Sequence, residues 1–310
     1  MHLAEALQQA GHIAAVAPLA AFLTAPNPDF EVYVFHRPSV AHSKLKTVLA
    51  ALHQLGAVTI ADLDRYIFPE SGEENGSAYG NELQALKLFR KVTVATHALA
   101  DALRNHQSGT DLMVLPDSLP ASLLGLHEVR RPHLKERPRQ SLAYVQAPGG
   151  HGLALRQIWD VVYKVLSEHE EATLTLFGTA DVPEILTNHP NASVQPVLRT
   201  PYRMTTYSRF DCILDPALPG PQSKCVSRAN YMEATLAGSR LISSPLPDLP
   251  PLRQPNLKVA PSPTEWYEHL TNVLEKPVHS DDMLTCVNRT IEVRASRRFV
   301  ADFLKFLAGG

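Results

Sequence analysis

Residues 210–245 read FDCILDPALPGPQSKCVSRANYMEATLAGSRLISSP, and this stretch decides the fold of the C-terminal half of the chain. It begins and ends with short runs of strand-forming residues, at Phe210–Asp215 and Arg240–Ser243. Between them apolar residues return every three or four positions over Ser227–Ala237, and Gly238 follows directly. The order strand, loop, helix, glycine and strand predicts one βα unit of a parallel sheet.

The same alternation of short β-branched runs with longer amphipathic stretches extends in both directions from this segment. It predicts the first-domain strands Glu31–His36, Ala57–Ala61, Lys91–Val94 and Asp111–Leu115. It also predicts the second-domain strands Ser141–Gln146, Ala172–Phe177, Ala192–Val197, Phe210–Asp215, Arg240–Ser243 and Leu257–Ala260. Strands that alternate with helices indicate two α/β domains, each with a parallel sheet.

The domain boundary is predicted within residues 127–140, which are rich in Arg, Pro, Lys and His and have no apolar period. With 310 residues, of which 45% are hydrophobic, the chain is long enough for two separate cores. We therefore predict an N-terminal acceptor domain over residues 1–130 and a C-terminal donor-binding domain over residues 138–280. A last helix over residues 281–310 is expected to return to the first domain.

The N-terminus departs from the usual doubly wound order, because Met1–Ala10 already reads as an amphipathic helix. After Gly11, the run His12–Val16 is predicted as a strand. The N-terminal domain is thus expected to lack its usual first strand. Either the sequence is a fragment, or the sheet is built without that strand.

Composition excludes several classes of protein. A formal net charge of −2 gives no field that would hold the chain on nucleic acid. Three distant cysteines and scattered histidines show no disulfide or metal-binding spacing, so no metal is expected. The longest apolar stretch, His12–Leu23, contains Pro18 and is too short for a bilayer span, and no signal peptide is recognised. A reducing cytoplasm is the expected compartment.

Polar residues in the loop and first turn of the Ser227–Ala237 helix carry the chemistry of this segment. Backbone N–H groups at a helix start favour anions, and Ser223, Lys224, Ser227 and Arg228 would add hydroxyl and cationic contacts to a diphosphate. Glu233, further along the helix, could accept two hydrogen bonds from a ribose diol. Together these groups indicate a nucleotide site; the alternative is that they are ordinary solvated side chains.

The run from Tyr231 through Glu233, Gly238 and Leu241–Pro245 resembles the donor-binding helix and following strand of GT-B glycosyltransferases related to family 4. The resemblance implies that Glu233 binds the donor ribose. Many members carry a second glutamate eight positions earlier that contacts the donor sugar, and Cys225 stands there in this sequence. Weaker similarity extends to other strand ends, at Gly11–Val16, Val32–Arg37, Ala61–Phe68, Val92–Thr96 and Val114–Ser118.

Asp62 and Asp64 follow a predicted strand, where carboxylates face the ligand crevice of a parallel sheet. They are the candidate catalytic residues, since they could orient the acceptor or remove its proton. Capping of the next loop and helix is the alternative, as it is for Thr96 and His97. His151, in the glycine-rich loop Gly149–Gly152, is a further candidate for donor binding.

These features predict a glycosyltransferase, with retention of anomeric configuration implied by the resemblance. A nucleoside diphosphate sugar would be the donor and a glycan or lipid-linked molecule the acceptor, with no cofactor. Such an acceptor would bring the protein to the membrane surface peripherally. The alternative is a catalytically weak module of the same fold that binds a partner or glycan. A nicotinamide dehydrogenase is disfavoured, because the G-x-G-x-x-G pattern is absent.

Overall fold

The computed structural model describes residues 2–69, 79–130, 140–146, 152–178, 182–198, 203–246, 254–276 and 280–309. The chain divides into two compact units. The first unit comprises residues 1–120, 224–227 and 296–310, and the second comprises residues 121–223 and 228–295. Two short passages late in the sequence therefore belong to the N-terminal unit.

In the described part of the first unit, four parallel strands lie in the order β1-β2-β3-β4. Its elements up to residue 120 are α1 (His2–Gln9), α2 (Leu19–Thr24), β1 (Val32–His36), α3 (Leu45–Gln54), β2 (Val58–Leu63), α4 (Gly80–Leu86), β3 (Lys91–Val94), α5 (His97–His106) and β4 (Asp111–Val114). β2 is central, and its Ile60, Ala61 and Leu63 have no exposed surface. Burial of such aliphatic strands drives this sheet to form.

Among the residues described for the second unit, six parallel strands lie in the order β10-β9-β8-β5-β6-β7. Its elements are α6 (Ala121–Arg130), β5 (Ser141–Val145), α7 (Trp159–Glu168), β6 (Thr173–Phe177), α8 (Glu184–Thr187), β7 (Ala192–Gln195), α9 (Arg203–Tyr207), β8 (Cys212–Asp215), α10 (Pro221–Lys224), α11 (Ala229–Leu236), β9 (Arg240–Ser243), β10 (Leu257–Val259), α12 (Pro263–Glu275) and α13 (Ser280–Arg294). The order reverses between β5 and β8. In sheets of this kind, that reversal marks the crevice where ligands bind.

All ten strands predicted in the two domains are present, with ends that differ by a few residues at most. The strand predicted at His12–Val16 is wrong. Gly11, at a φ of 89°, ends α1, and the next regular element is α2. Residues 12–16 form no strand, and the Ile13 side chain is 90% exposed. Apolar alternation alone does not make a strand where no neighbouring strand supplies hydrogen bonds.

The long C-terminal helix predicted from Asp281 to Leu307 is interrupted. α13 ends at Arg294, a 3₁₀ turn covers Ser296–Phe299, and α14 spans Val300–Leu307. The backbone N–H of Ser296 donates to the carbonyl of Leu119 at 3.0 Å instead of continuing the helix. The chain after this break groups with the first unit. There the Lys91 ammonium reaches the Phe306 carbonyl of α14 at 2.7 Å.

Candidate functional site

The reversal of strand order in the second unit carries a polar cluster. Asp215 is the last residue of β8, the strand next to β5 at the reversal. Its Oδ1 accepts a hydrogen bond from the Asn230 amide of α11 at 2.8 Å. Burial raises the pKa of the Asp215 carboxyl, against the opposing effects of Asn230 and Arg203. The hydrogen bond between Asn230 and Asp215 holds α11 at the end of β8, where a ligand would be expected.

Glu233, the predicted ribose-binding residue, lies on α11 and forms an ion pair with Arg203 of α9. The Arg203 Nη2 to Glu233 Oε1 distance is 2.7 Å, and the two side chains are 17% and 15% exposed. Among the described residues, the second carboxylate oxygen of Glu233 and the Nε of Arg203 are buried without a hydrogen-bond partner. Buried polar atoms of this kind are costly when unpaired, so a group that reached them would gain a hydrogen bond.

The predicted phosphate-binding residues are distributed over both units. Ser223 lies in the short helix α10 and donates to the Leu218 carbonyl, and the exposed Lys224 ends that helix. Ser227 donates to the Asp117 carboxylate, within the first unit. Arg228 immediately precedes α11, which begins at Ala229 and not at the predicted Ser227.

The structure bears differently on His151 and on Cys225. His151 and residues 147–150 lie outside the described residues, so its role in donor binding stays a prediction. Cys225, at the position where the resemblance implies a sugar-contacting glutamate in many family members, is 3% exposed and packs in the hydrophobic core of the first unit. Burial raises the pKa of its thiol to about 11. This side chain is a neutral packing residue.

In the first unit, one row of side chains crosses the carboxyl end of the sheet. The register pairs His36 of β1 with Asp62 of β2, and Asp62 with Thr93 of β3. Paired residues of parallel strands point to the same face, and the contacts follow that row. Asp62 Oδ2 lies 2.8 Å from His36 Nδ1, and its Oδ1 accepts from the Thr93 hydroxyl at 2.7 Å.

Asp64, just beyond β2, is held by the residue that follows β1. Arg37 donates to its two carboxylate oxygens from Nε at 2.5 Å and from Nη2 at 2.6 Å. Burial alone would raise the pKa of Asp64, but Arg37, assisted by His36, holds that pKa below its ordinary value. Arg37 adopts a φ of 48°, a conformation that costs a non-glycine residue free energy and often accompanies functional sites.

The two predicted catalytic carboxylates therefore lie side by side and share His36 as a neighbour. The Nε2 of His36 is 3.7 Å from Asp64 Oδ2. Both carboxylates bond side chains of adjacent elements. Thr96, by contrast, has the capping role considered for it: its hydroxyl accepts from the Leu99 amide at the start of α5 and donates to the Cys225 carbonyl.

Sequence reasoning missed several members of these clusters: His36, Arg37, Arg203, Asp215 and Asn230. A usable signal existed for His36 and Asp215, since both end predicted strands, and Asp62 directly follows one. Arg203 carried no such signal, because its pairing depends on how α9 packs against α11.

The described ranges also bear on metal and membrane binding. Within them, no three His, Cys, Asp or Glu side chains form a group suited to a metal ion. None of the helices in those ranges is both long and apolar enough to cross a bilayer. All three cysteines are buried as free thiols.

No family model matches the sequence, and no curated protein matches it at a significant level. Solved structures do match. HepE of Anabaena, crystallised with UDP and glucose, gives a TM-score of 0.63 at 12% identity over 97% of this chain and 82% of its own. The UDP-forming α,α-trehalose-phosphate synthase of Burkholderia xenovorans gives 0.61 at 13% identity over 94% of this chain and 76% of its own.

The pneumococcal O-GlcNAc transferase GtfA, crystallised with UDP and GlcNAc, gives a TM-score of 0.62 at 14% identity. That match covers 94% of this chain, which spans only 59% of GtfA. At such identities the likeness concerns the fold. These matches and the two parallel sheets confirm the predicted fold class: the chain has the two Rossmann-like α/β units of the GT-B fold.

Proposed function

We propose that the protein is a glycosyltransferase that moves a sugar from a nucleoside diphosphate sugar to a hydroxyl of a glycan or lipid-linked acceptor. Synthesis of a bacterial surface polysaccharide or glycoconjugate is the proposed setting. The observation that carries the proposal is the position of Glu233. Its carboxylate lies on the helix bonded to the end of β8, at the strand-order reversal of a fold shared with proteins crystallised with UDP.

In this proposal the C-terminal half of the sequence binds the donor. Glu233 accepts hydrogen bonds from the ribose hydroxyls through the oxygen that has no hydrogen-bond partner among the described residues. Ser223, Lys224, Ser227, Arg228 and His151 remain the proposed contacts to the diphosphate. Cationic side chains and helix N–H groups can stabilise the leaving diphosphate, so the reaction needs no cofactor.

The first unit is proposed to bind the acceptor, with Asp62 and Asp64 as its polar groups. The resemblance to family 4 implies retention of anomeric configuration, whereas a base on the acceptor would imply inversion. A cytoplasmic location and peripheral membrane association also stay proposals. The alternative is a module of the same fold that binds a glycan without transferring sugar.

Calorimetry with UDP, uridine and inorganic pyrophosphate tests donor binding. Lys224→Ala and Arg228→Ala should each remove a charge-assisted contact of about 1.5–3 kcal/mol and weaken UDP binding by roughly one to two decades. Glu233→Gln should weaken the binding of UDP and uridine but leave that of pyrophosphate nearly unchanged. Glu265→Gln, a change at the start of α12, is the control. Unchanged UDP affinity in all three site variants would contradict the proposed donor site.

Slow hydrolysis of the UDP-sugar in the absence of an acceptor distinguishes an enzyme from a binding module. An enzyme should release glucose or N-acetylglucosamine from the UDP-sugar when water replaces the acceptor. A protein that binds UDP but releases no sugar, with or without added glycan acceptors, would favour the binding module.

A further inference from the structure

The contact between α9 and α11, both in the second unit, contains two polar pairs. On α9, Arg203 and Tyr207 lie one turn apart and therefore share a face of the helix. On α11, Asn230 and Glu233 do the same. Arg203 donates to Glu233 at 2.7 Å, and the Tyr207 hydroxyl donates to Asn230 over a longer distance of 3.5 Å. The ion pair is thus one of two contacts between these helix faces.

Each of these helices is also held by contacts other than the ion pair. The Ser239 hydroxyl, which has no exposed surface, lies 2.7 Å from the Tyr207 carbonyl at the end of α9 and 2.8 Å from the Phe210 carbonyl. The hydrogen bond from Asn230 to Asp215 holds α11 at the end of β8. A substitution that removes only the ion pair therefore leaves both helices with buried anchors.

The ion pair itself uses only one of the two hydrogen bonds that its groups could form. Nη2 of Arg203 donates to Oε1 of Glu233, whereas Nε and Oε2 have no hydrogen-bond partner among the described residues. In the Arg37–Asp64 pair of the first unit, by contrast, Nε and Nη2 bond both carboxylate oxygens. A carboxylate offers about four acceptor positions, so Glu233 keeps about three. This carboxylate is oriented by a cation and can still accept further hydrogen bonds.

We propose that Arg203 is the positioning residue of Glu233, and that it thereby sets the preference of the donor site for a nucleotide that carries both ribose hydroxyls. The inference rests on the proposed glycosyltransferase function and names the residue that prepares its ribose contact. The hydrogen bond from Arg203 fixes the orientation of the carboxylate before the ligand arrives. A group that is already oriented loses less conformational freedom on binding, so the ribose binds more tightly.

Arg203 has two opposing effects on the ribose contact. Its charge withdraws some negative charge from the carboxylate and weakens each hydrogen bond that the carboxylate accepts. Its presence also keeps the carboxylate in place, because the two side chains are only 17% and 15% exposed and an uncompensated charge is costly to bury there. Without Arg203, the carboxylate would turn towards water and leave the ribose. The second effect is the larger one, since it decides whether the contact forms at all.

Calorimetry on the full chain measures this preference with UDP and with dideoxyuridine diphosphate, which lacks both ribose hydroxyls. The ribose ratio is the dissociation constant of the dideoxy compound divided by that of UDP. Both ligands share the base and the diphosphate, and an unfolded fraction of protein affects both alike, so the ratio reports the ribose contact. We expect a ribose ratio of about 10–100 for the wild type and below about 3 for Arg203→Met.

Three further variants separate positioning from a merely structural effect, and thermal melting of each shows that the fold is kept. Arg203→Lys keeps the charge without the planar guanidinium and should recover part of the ribose ratio. Arg203→Met in a Glu233→Gln background should weaken UDP binding no further, because Arg203 acts through Glu233. Arg209→Met, a change of an exposed arginine shortly after α9, is the matched control and should keep the wild-type ratio.

The outcomes separate the inference from the function on which it rests. An unchanged or increased ribose ratio in a folded Arg203→Met variant, or equal weakening of both nucleotides, would overturn the inference and leave the donor site intact. Further weakening of UDP binding by Arg203→Met in the Glu233→Gln background would do the same. Wild-type protein that binds neither nucleotide would overturn the proposed function and the inference with it.

Discussion

The two polar clusters hold charged side chains at the end of a parallel sheet in different ways. In the first unit, each carboxylate oxygen of Asp62 and Asp64 has a side-chain partner, and the pairs are partly exposed. In the second unit, Glu233 and Arg203 are mostly buried, and each retains a buried polar atom without a partner among the described residues. Every carboxylate oxygen of the first cluster is therefore paired within the protein, whereas the second cluster keeps two unpaired polar atoms.

Breaking the buried ion pair between Arg203 and Glu233 should have the largest effect on the free energy of unfolding. Arg203→Met leaves the Glu233 carboxylate without its cation, in surroundings that are only 15–17% exposed. Exposed pairs contribute about 0–1 kcal/mol and fully buried ones cost about 3–5 kcal/mol to break, so we expect a loss of about 2–3 kcal/mol. Urea unfolding measures the free energy of unfolding.

Two further variants sharpen that measurement. Arg104→Met removes an exposed pair with Asp101 and should change the free energy of unfolding by less than about 1 kcal/mol. Arg203→Met combined with Glu233→Met should recover part of the loss, because no unpaired charge stays buried. If the Arg203 and Arg104 variants lost the same free energy of unfolding, the expected difference between buried and exposed ion pairs would be contradicted.

A smaller effect is expected at Arg37, whose backbone is strained and whose side chain holds Asp64. Arg37→Ala and Arg37→Gly both remove the guanidinium, but only glycine adopts a φ of 48° without steric cost. The glycine variant should therefore be more stable than the alanine variant by about 1 kcal/mol. Paired thermal melts measure the difference, and an alanine variant at least as stable as the glycine one would argue against strain.

The smallest expected effect is a change in the free energy of unfolding with pH. The pKa of His36 is raised on folding, mainly by Asp62, so the His36–Asp62 pair stabilises the fold fully below the unfolded pKa. That contribution should be lost as pH rises through the raised pKa, above 6.5. Because the imidazole is half exposed, we expect a change below about 1 kcal/mol. Wild type and His36→Gln, compared by urea unfolding at acidic and alkaline pH, should diverge only on the acidic side.

The comparison also shows what the sequence could reveal. β-branched runs marked all ten strands, and strand ends led to Asp62 and Asp64, because the position of a carboxyl end follows from the strand itself. The contact between His36 and Asp62 required the strand order and register, which local patterns do not contain. The Arg203–Glu233 pair joins residues thirty positions apart in the sequence and depends on helix packing.

Cys225 illustrates the opposite case, in which a motif position misled. The resemblance to family 4, through the eight-residue spacing from Cys225 to Glu233, directed attention to a lost sugar contact. The structure places this residue in a hydrophobic core, where a carboxylate would be costly. Spacing in the sequence could not show which way the side chain points.

The return of residues 224–227 and 296–310 to the first unit has a consequence for fragment design. A fragment that stops at Pro120 contains all four strands of its sheet but lacks Cys225 in its core, the Cys225 carbonyl that bonds Thr96, and the α14 carbonyl that bonds Lys91. Such a fragment would expose apolar surface that the intact chain covers. Separate expression of the halves is therefore expected to yield an aggregation-prone first half, and ligand studies need the whole chain.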